Sequence, residues 1–156
     1  MIYMLIKDIY HPHIRTIRMD KTIRDAVTEL ISTKYNAFIV VDKNDKVVGV
    51  LSLQDIAGAT IPPEFKDNIA MASAMYRQGF FHEMCREIEN LLVKDIMRTN
   101  FVSVSLNDNI MAITADFLKN DLYVVPVIEQ GKLLGIITRS EIKHAIGKAM
   151  GITEKQ

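Results

Sequence analysis

The 156 residues carry 19 Lys and Arg against 19 Asp and Glu, with 49% apolar residues and a pI near 6.9. That composition fits one soluble domain and gives no electrostatic reason to gather on nucleic acid or an anionic membrane. No apolar run approaches the roughly 18 to 20 residues that cross a bilayer, and the start from Met1 to Ile6, soon followed by Asp8, lacks a basic leader and a long apolar stretch. Cys85 is the one cysteine, too few for a disulfide or a zinc cage, so a reducing compartment, with the cytoplasm as default, is expected.

Ile6-Lys7-Asp8-Ile9 near the start returns as Val93-Lys94-Asp95-Ile96, an offset of 87 residues, and the residues after each copy keep step. Thr16-Ile17 predicts a short strand. Ile23, Ala26, Val27, Leu30 and Ile31 then share one helical face. Ala37 to Asp42 is rich in β-branched and aromatic residues and predicts a strand, Lys43 to Lys46 a polar turn, and Val47 to Ser52 a second strand that ends at a hydroxyl residue before helix-forming sequence. Residues 57–92 match neither copy. Pro62-Pro63 breaks the preceding helix. Phe65, Ile69, Ala72 and Tyr76 then trace one amphipathic stripe, and Phe81, Met84, Cys85, Ile88, Leu91 and Leu92 a second. The segment predicts an inserted helical hairpin with Arg77-Gln78-Gly79 at its corner. Its Met71, Met75 and Met84 read as core filling before they read as a pliable partner surface.

The second copy repeats the order: Ser103-Val104; Ile110, Ile113, Thr114, Phe117 and Leu118 on a helix; Val124 to Glu129; the turn Gln130 to Lys132; and Leu133 to Thr138. Each copy therefore reads strand, helix, strand, strand, helix, an α/β (α+β) unit. One small sheet exposes too much apolar surface alone, so the two are expected to pack sheet against sheet as one pseudo-twofold domain. The expected boundaries are 1–57 for the first repeat, 58–92 for the insert and 93–156 for the second repeat.

Each copy closes on Gly, two apolar residues, Ser or Thr, two variable residues, an acid and Ile: Gly49-Val50-Leu51-Ser52-Leu53-Gln54-Asp55-Ile56 and Gly135-Ile136-Ile137-Thr138-Arg139-Ser140-Glu141-Ile142. With the upstream Lys-Asp-Ile, the Thr16 or Ser103 position and Val124-Val125-Pro126-Val127, the chain resembles the cystathionine-β-synthase (CBS) domain pair, or Bateman module, over both ends but not over the insert. By itself, a hydroxyl residue followed three positions later by an acid at a strand-to-helix junction is also an ordinary capping box. That accounts for Ser52, Thr138 and especially Glu141. It leaves Gly49 and Gly135 unexplained, and a glycine within a strand predicts close approach of something to the backbone.

The resemblance implies a nucleotide site built on the same geometry: a helix start that offers N–H groups to phosphate and an acid that accepts ribose hydroxyls. Carried over by position, one cleft draws on Ser52 and Asp55, with Ser103, Tyr123 and Val124 as companions. The other draws on Thr138 and Glu141, with Thr16, Asn36 and Ala37. Ile39 stands at the first copy's proline position, and Glu141 replaces the second copy's usual Asp, which moves the carboxylate and ranks the Asp55 cleft ahead. Arg139 is placed either to neutralise a phosphate or to lie on a solvated face. His11-Pro12-His13 lacks a carboxylate pair or thiol, so no metal is expected.

No nucleophile with its base, paired acids or phosphate loop with Lys stands at informative spacing, so the expected activity is binding and not catalysis. The resemblance implies a regulatory sensor of an adenosine-containing ligand (AMP, ADP, ATP or S-adenosylmethionine), with no resident cofactor, acting as a homodimer or on an unidentified protein partner. The alternative is a non-catalytic interaction module with empty clefts that works through residues 57–92.

Overall fold

The computed structural model describes residues 4–63, 68, 70 and 79–152. Both copies fold in the expected order. The first contains β1 (Thr16–Arg18), α1 (Ile23–Ile31), β2 (Ala37–Val41), β3 (Val47–Ser52) and α2 (Leu53–Ala59). After α3 (Phe80–Ile88) and the one-turn α4 (Val93–Ile96), the second contains α5 (Ile110–Asn120), β4 (Val125–Glu129), β5 (Lys132–Ile137) and α6 (Arg139–Ala149). The second stripe of the expected insert is α3 with its flanks, and Ile88 is its buried residue. The first stripe, Phe65, Ile69, Ala72 and Tyr76, lies outside the described residues, with Met71, Met75 and the Arg77-Gln78 corner.

In the first sheet β1 pairs parallel with β2, and β2 antiparallel with β3. The second sheet is β4 antiparallel to β5. The strand expected at Ser103-Val104 is a single parallel bridge, Val104 to Val127. Val104 N–H donates to Pro126 O at 3.0 Å and its carbonyl accepts from Ile128 at 2.9 Å. Two bonds hold that residue without extending a ladder. The hairpins close through local turn chemistry. Asp42 Oδ1 accepts the N–H groups of Asn44 and Lys46 at 2.8 and 3.0 Å. Gln130-Gly131, both at positive φ, form the two-residue turn between Glu129 and Lys132.

Strand β2 shows why the two halves form one body. Its side chains alternate, so Phe38 and Val40 enter a core with Ile17, Ile23, Ala26, Leu51 and Ile56, whereas Ile39 and Val41 meet Val124 and Ile136 of the second copy. A strand apolar on both faces belongs between two layers. Ile39, at the position where the second copy has Pro126, is fully buried in this inter-repeat core.

The lead segments cross over. Ile6 of the short 3₁₀ turn Ile6–Asp8 is fully buried in the second copy's core, and Val93 of α4 is fully buried in the first copy's. The bonds are paired by the repeat. Ile6 N–H donates to Asp108 O (3.0 Å) and Lys7 N–H to Leu106 O (2.9 Å); Val93 N–H donates to Lys21 O (2.8 Å) and Lys94 N–H to Met19 O (3.0 Å). The repeated acid of the Lys-Asp-Ile motif caps each lead segment, since Asp8 accepts from Leu5 N–H at 2.9 Å and Asp95 from Leu92 N–H at 2.8 Å.

Candidate functional site

Two clefts open where the strand ends of one copy face those of the other, and Tyr123 and Val124 line both. The first contains Ser52 and Asp55 with Arg98, Asn100, Phe101 and Val102 of the second half. The start of α2 there is tied to its own chain. Asp55 Oδ2 accepts from Ser52 N–H and Oγ at 2.9 Å each, Asp55 N–H donates to Ser52 Oγ at 3.2 Å, and Leu53 N–H donates to Asn36 O at 2.7 Å. The other oxygen, Oδ1, takes Arg98 Nε at 2.7 Å, with the Asp55 side chain 10% exposed. Little space remains. The cavity is about 40 Å³, on the scale of one water molecule's share of liquid, about 30 Å³.

The second cleft, about 300 Å³, brings Thr138, Arg139 and Ser140 of the second copy together with Asn36 and Ala37 of the first. It reaches the lower bound, about 300 Å³, of small-molecule pockets. Its floor includes Ala37, Val124 and Ile136, and its sides His13, Arg15, Lys34 and Tyr35. Among the described residues the bond that ties Leu53 to Asn36 has no counterpart at Arg139. Thr138 Oγ1 instead accepts from Ser140 N–H at 3.2 Å. Glu141 completes a capping box: Thr138 N–H donates to Oε2 at 2.6 Å and the Thr138 hydroxyl donates to the same oxygen.

Glu141 is buried, its Oε2 held against Thr138, and it lines not this cleft but a separate groove of about 670 Å³ along α6. That groove contains none of the other residues singled out for the nucleotide site. Thr16 stands with Glu29 in a second open recess of about 520 Å³, which shares His13, Arg15 and Tyr35 with the second cleft. Ser103 is exposed and lines neither cleft. Arg139 donates from Nη2 to Asp121 at 3.0 Å and lies over the Tyr123 ring, 5.2 Å from its centroid. Arg15 stacks on Tyr35 at the same distance. Arg98 escapes sequence reasoning because its partner Asp55 lies in the other half, and Arg15, Lys34 and Tyr35 because only the fold brings them to a cleft shared with second-copy residues. The available signal is position: Arg15 and Lys34 stand just before β1 and β2, where the clefts open.

The two glycines are needed for the lead segments and not for a ligand. A Cβ on Gly49 would fall 2.7 Å from Arg98 O and 2.9 Å from Met97 Sδ, and one on Gly135 would run into His11 O and the Tyr10 ring. At each point the chain pairs with itself. Val50 N–H donates to Arg98 O (3.0 Å) and Val50 O accepts from Arg98 N–H (2.8 Å), and Ile136 and His11 exchange two bonds of 2.9 Å. Among the described residues no group of three His, Cys, Asp or Glu could hold a metal ion, and no helix is long and apolar enough to cross a membrane.

Comparison with known proteins places this architecture. Homoserine O-acetyltransferase of Methanobrevibacter ruminantium is 25% identical over 143 residues, 91% of this chain and 24% of that protein, so the chain spans about a quarter of that relative. A CBS-domain containing protein from Agrobacterium tumefaciens has the same fold at a TM-score of 0.71 and 21% identity, covering 91% of this chain and 92% of that one. The CBS domain pair solved in complex with 5′-methylthioadenosine and S-adenosyl-L-methionine matches at 0.69 and 22%, covering 94% and 98%. The CBS domain model matches twice, over residues 6–61 and 93–148, and the chain belongs to the CBS-domain family.

Proposed function

We propose that the chain is a regulatory sensor that binds an adenosine-containing ligand (AMP, ADP, ATP or S-adenosylmethionine) in the Thr138 cleft. The observation that carries this reading is the cavity of about 300 Å³ built by both repeats, with apolar Ala37, Val124 and Ile136 to receive a flat base and Asn36, Thr138 and Ser140 beside them. CBS pairs are regulatory ligand-binding modules, and one of the same fold is bound to two adenosyl compounds. Because the walls belong to different repeats, a ligand that fits one separation of the walls better shifts the balance toward it, only as far as its affinities differ. The readout is a change of conformation or of association between copies of a homodimer. The first cleft stays closed by Arg98 and Asp55, so one ligand binds per chain.

Calorimetric titration of the full chain against those four compounds, with light scattering to follow assembly, tests the reading. The expected result is one ligand per chain, weakened by Tyr123→Ala. No heat and no thermal shift up to millimolar ligand overturns it.

A further inference from the structure

We propose that the Thr138 cleft selects a nucleotide with a phosphate chain over an uncharged or cationic adenosyl compound, which deepens the adenosyl reading and rests on it. Charges balance over the whole molecule, 19 of each sign, but not on this wall. Arg15, Lys34 and Arg139 line the cavity, and among the described residues no Asp or Glu does. The other cleft contains one of each sign, Arg98 and Asp55. Neither Arg15 nor Lys34 is ion-paired among the described residues. Three acids stand close by without lining the cavity: Glu29 in the adjoining recess, Asp121 paired with Arg139, and buried Glu141, whose Oε2 is taken by the N–H and hydroxyl of Thr138.

Arg139 is paired with Asp121, but both side chains are more than 60% exposed, 63% and 67%, and such a pair in water gives way readily to a stronger anion. The stacks of Arg15 on Tyr35 and Arg139 on Tyr123 hold one guanidinium from each repeat at the cleft without neutralising it. Like charges gathered on one concave wall repel each other and attract an anion, and a phosphate offers several acceptor oxygens to planar guanidinium donors. S-adenosylmethionine brings a sulfonium cation and no phosphate. It meets repulsion where ATP meets attraction.

The test is calorimetry of the full chain with ATP, AMP, adenosine, S-adenosylmethionine and inorganic triphosphate, without magnesium, at low and high salt. The expected order is ATP, AMP, adenosine, with about tenfold or more between the first and last, S-adenosylmethionine no tighter than adenosine, and only the phosphate-bearing ligands weakened by salt. Replacing the exposed pair together, Arg15→Ala with Lys34→Ala, removes about tenfold of ATP affinity and leaves adenosine unchanged, with circular dichroism to verify the fold. Equal binding of ATP and adenosine, or S-adenosylmethionine tighter than ATP, overturns phosphate selection and leaves the adenosyl reading standing. Inorganic triphosphate binding where no adenosyl compound binds overturns the adenosyl reading on which the proposal rests. Silence from every compound overturns both.

Discussion

Asp55 has two carboxylate oxygens and both are occupied within the chain, Oδ2 by the Ser52 N–H and hydroxyl and Oδ1 by Arg98. A ribose diol would have to displace the cap or the guanidinium. The Asp55 side chain is only 10% exposed whereas that of Arg98 is 43% exposed, so removing the acid exacts the larger cost, leaving the N–H and hydroxyl of Ser52 without their acceptor. Asp55→Ala is therefore expected to lower stability by about 1–2 kcal/mol, the usual scale for a lost cap, while nucleotide affinity stays within about twofold. Arg98→Ala should cost less than about 1 kcal/mol, since the guanidinium is partly solvated. Urea unfolding and calorimetry on the two variants read both quantities. A loss of affinity in Asp55→Ala as large as its loss of stability would show that the carboxylate holds the ligand. At this scale the sequence is ambiguous for a physical reason: a hydroxyl and an acid three residues apart cap a helix or grip a sugar with the same spacing. Only the neighbour 43 positions away, Arg98, distinguishes the uses at Asp55.

The elements were far more legible than the side-chain roles, because hydrophobic period and capping are local. The face of α1 carrying Ile23 and Ala26, the alternation along β2 and the Gln130-Gly131 turn are all dictated by residues within a few positions of each other. The bridge at Val104 was not legible in this way, since strand length depends on how far a partner runs alongside. Capping also sets an acid response. At α1 the Asp25 carboxylate accepts Thr22 N–H at 3.1 Å, and that backbone bond, helped by the Thr22 hydroxyl, holds its pKa below the ordinary 3.8. Asp42 is lowered in the same direction by the Lys46 and Asn44 N–H groups in the first hairpin. A depressed folded-state pKa stabilises the native chain above the unfolded value. That contribution fades as pH falls below about 4 and through the lower folded value. Asp25→Asn and Asp42→Asn are each expected to reduce the loss of stability between about pH 6 and pH 3 relative to the unchanged chain, by urea midpoints at the two pH values. A slope unchanged in both variants would show that neither carboxylate is held by these bonds.

Across the whole molecule the two halves are joined by exchange of their lead segments, and the glycines of the repeated octapeptide make that exchange possible. Sequence alone shows that something approaches Gly49 and Gly135 closely; it does not show that the visitor is the chain, because the crossing joins residues more than 40 positions apart. The crossing also sets the clefts. The segment that pairs His11 with Ile136 continues into His13 and Arg15 on the wall of the Thr138 cleft, whereas the segment that pairs Arg98 with Val50 supplies the guanidinium that closes the Asp55 cleft. Adding one methyl at each glycine therefore tests two connections independently. At Gly135 the new carbon meets a backbone carbonyl and the Tyr10 ring; at Gly49 it meets Arg98 O and the flexible Met97 side chain. A carbonyl within a paired segment yields only by moving the segment, so both substitutions destabilise, by about 1–3 kcal/mol, with Gly135→Ala the more severe. The affinities should separate further. Gly135→Ala shifts His13 and Arg15 away from the cleft and weakens ATP binding, while Gly49→Ala shifts Arg98 and leaves ATP binding at the Thr138 cleft as it was. Titrations of both variants at a temperature where each is folded give the comparison. A larger loss of ATP affinity in Gly49→Ala than in Gly135→Ala would place the ligand in the other cleft.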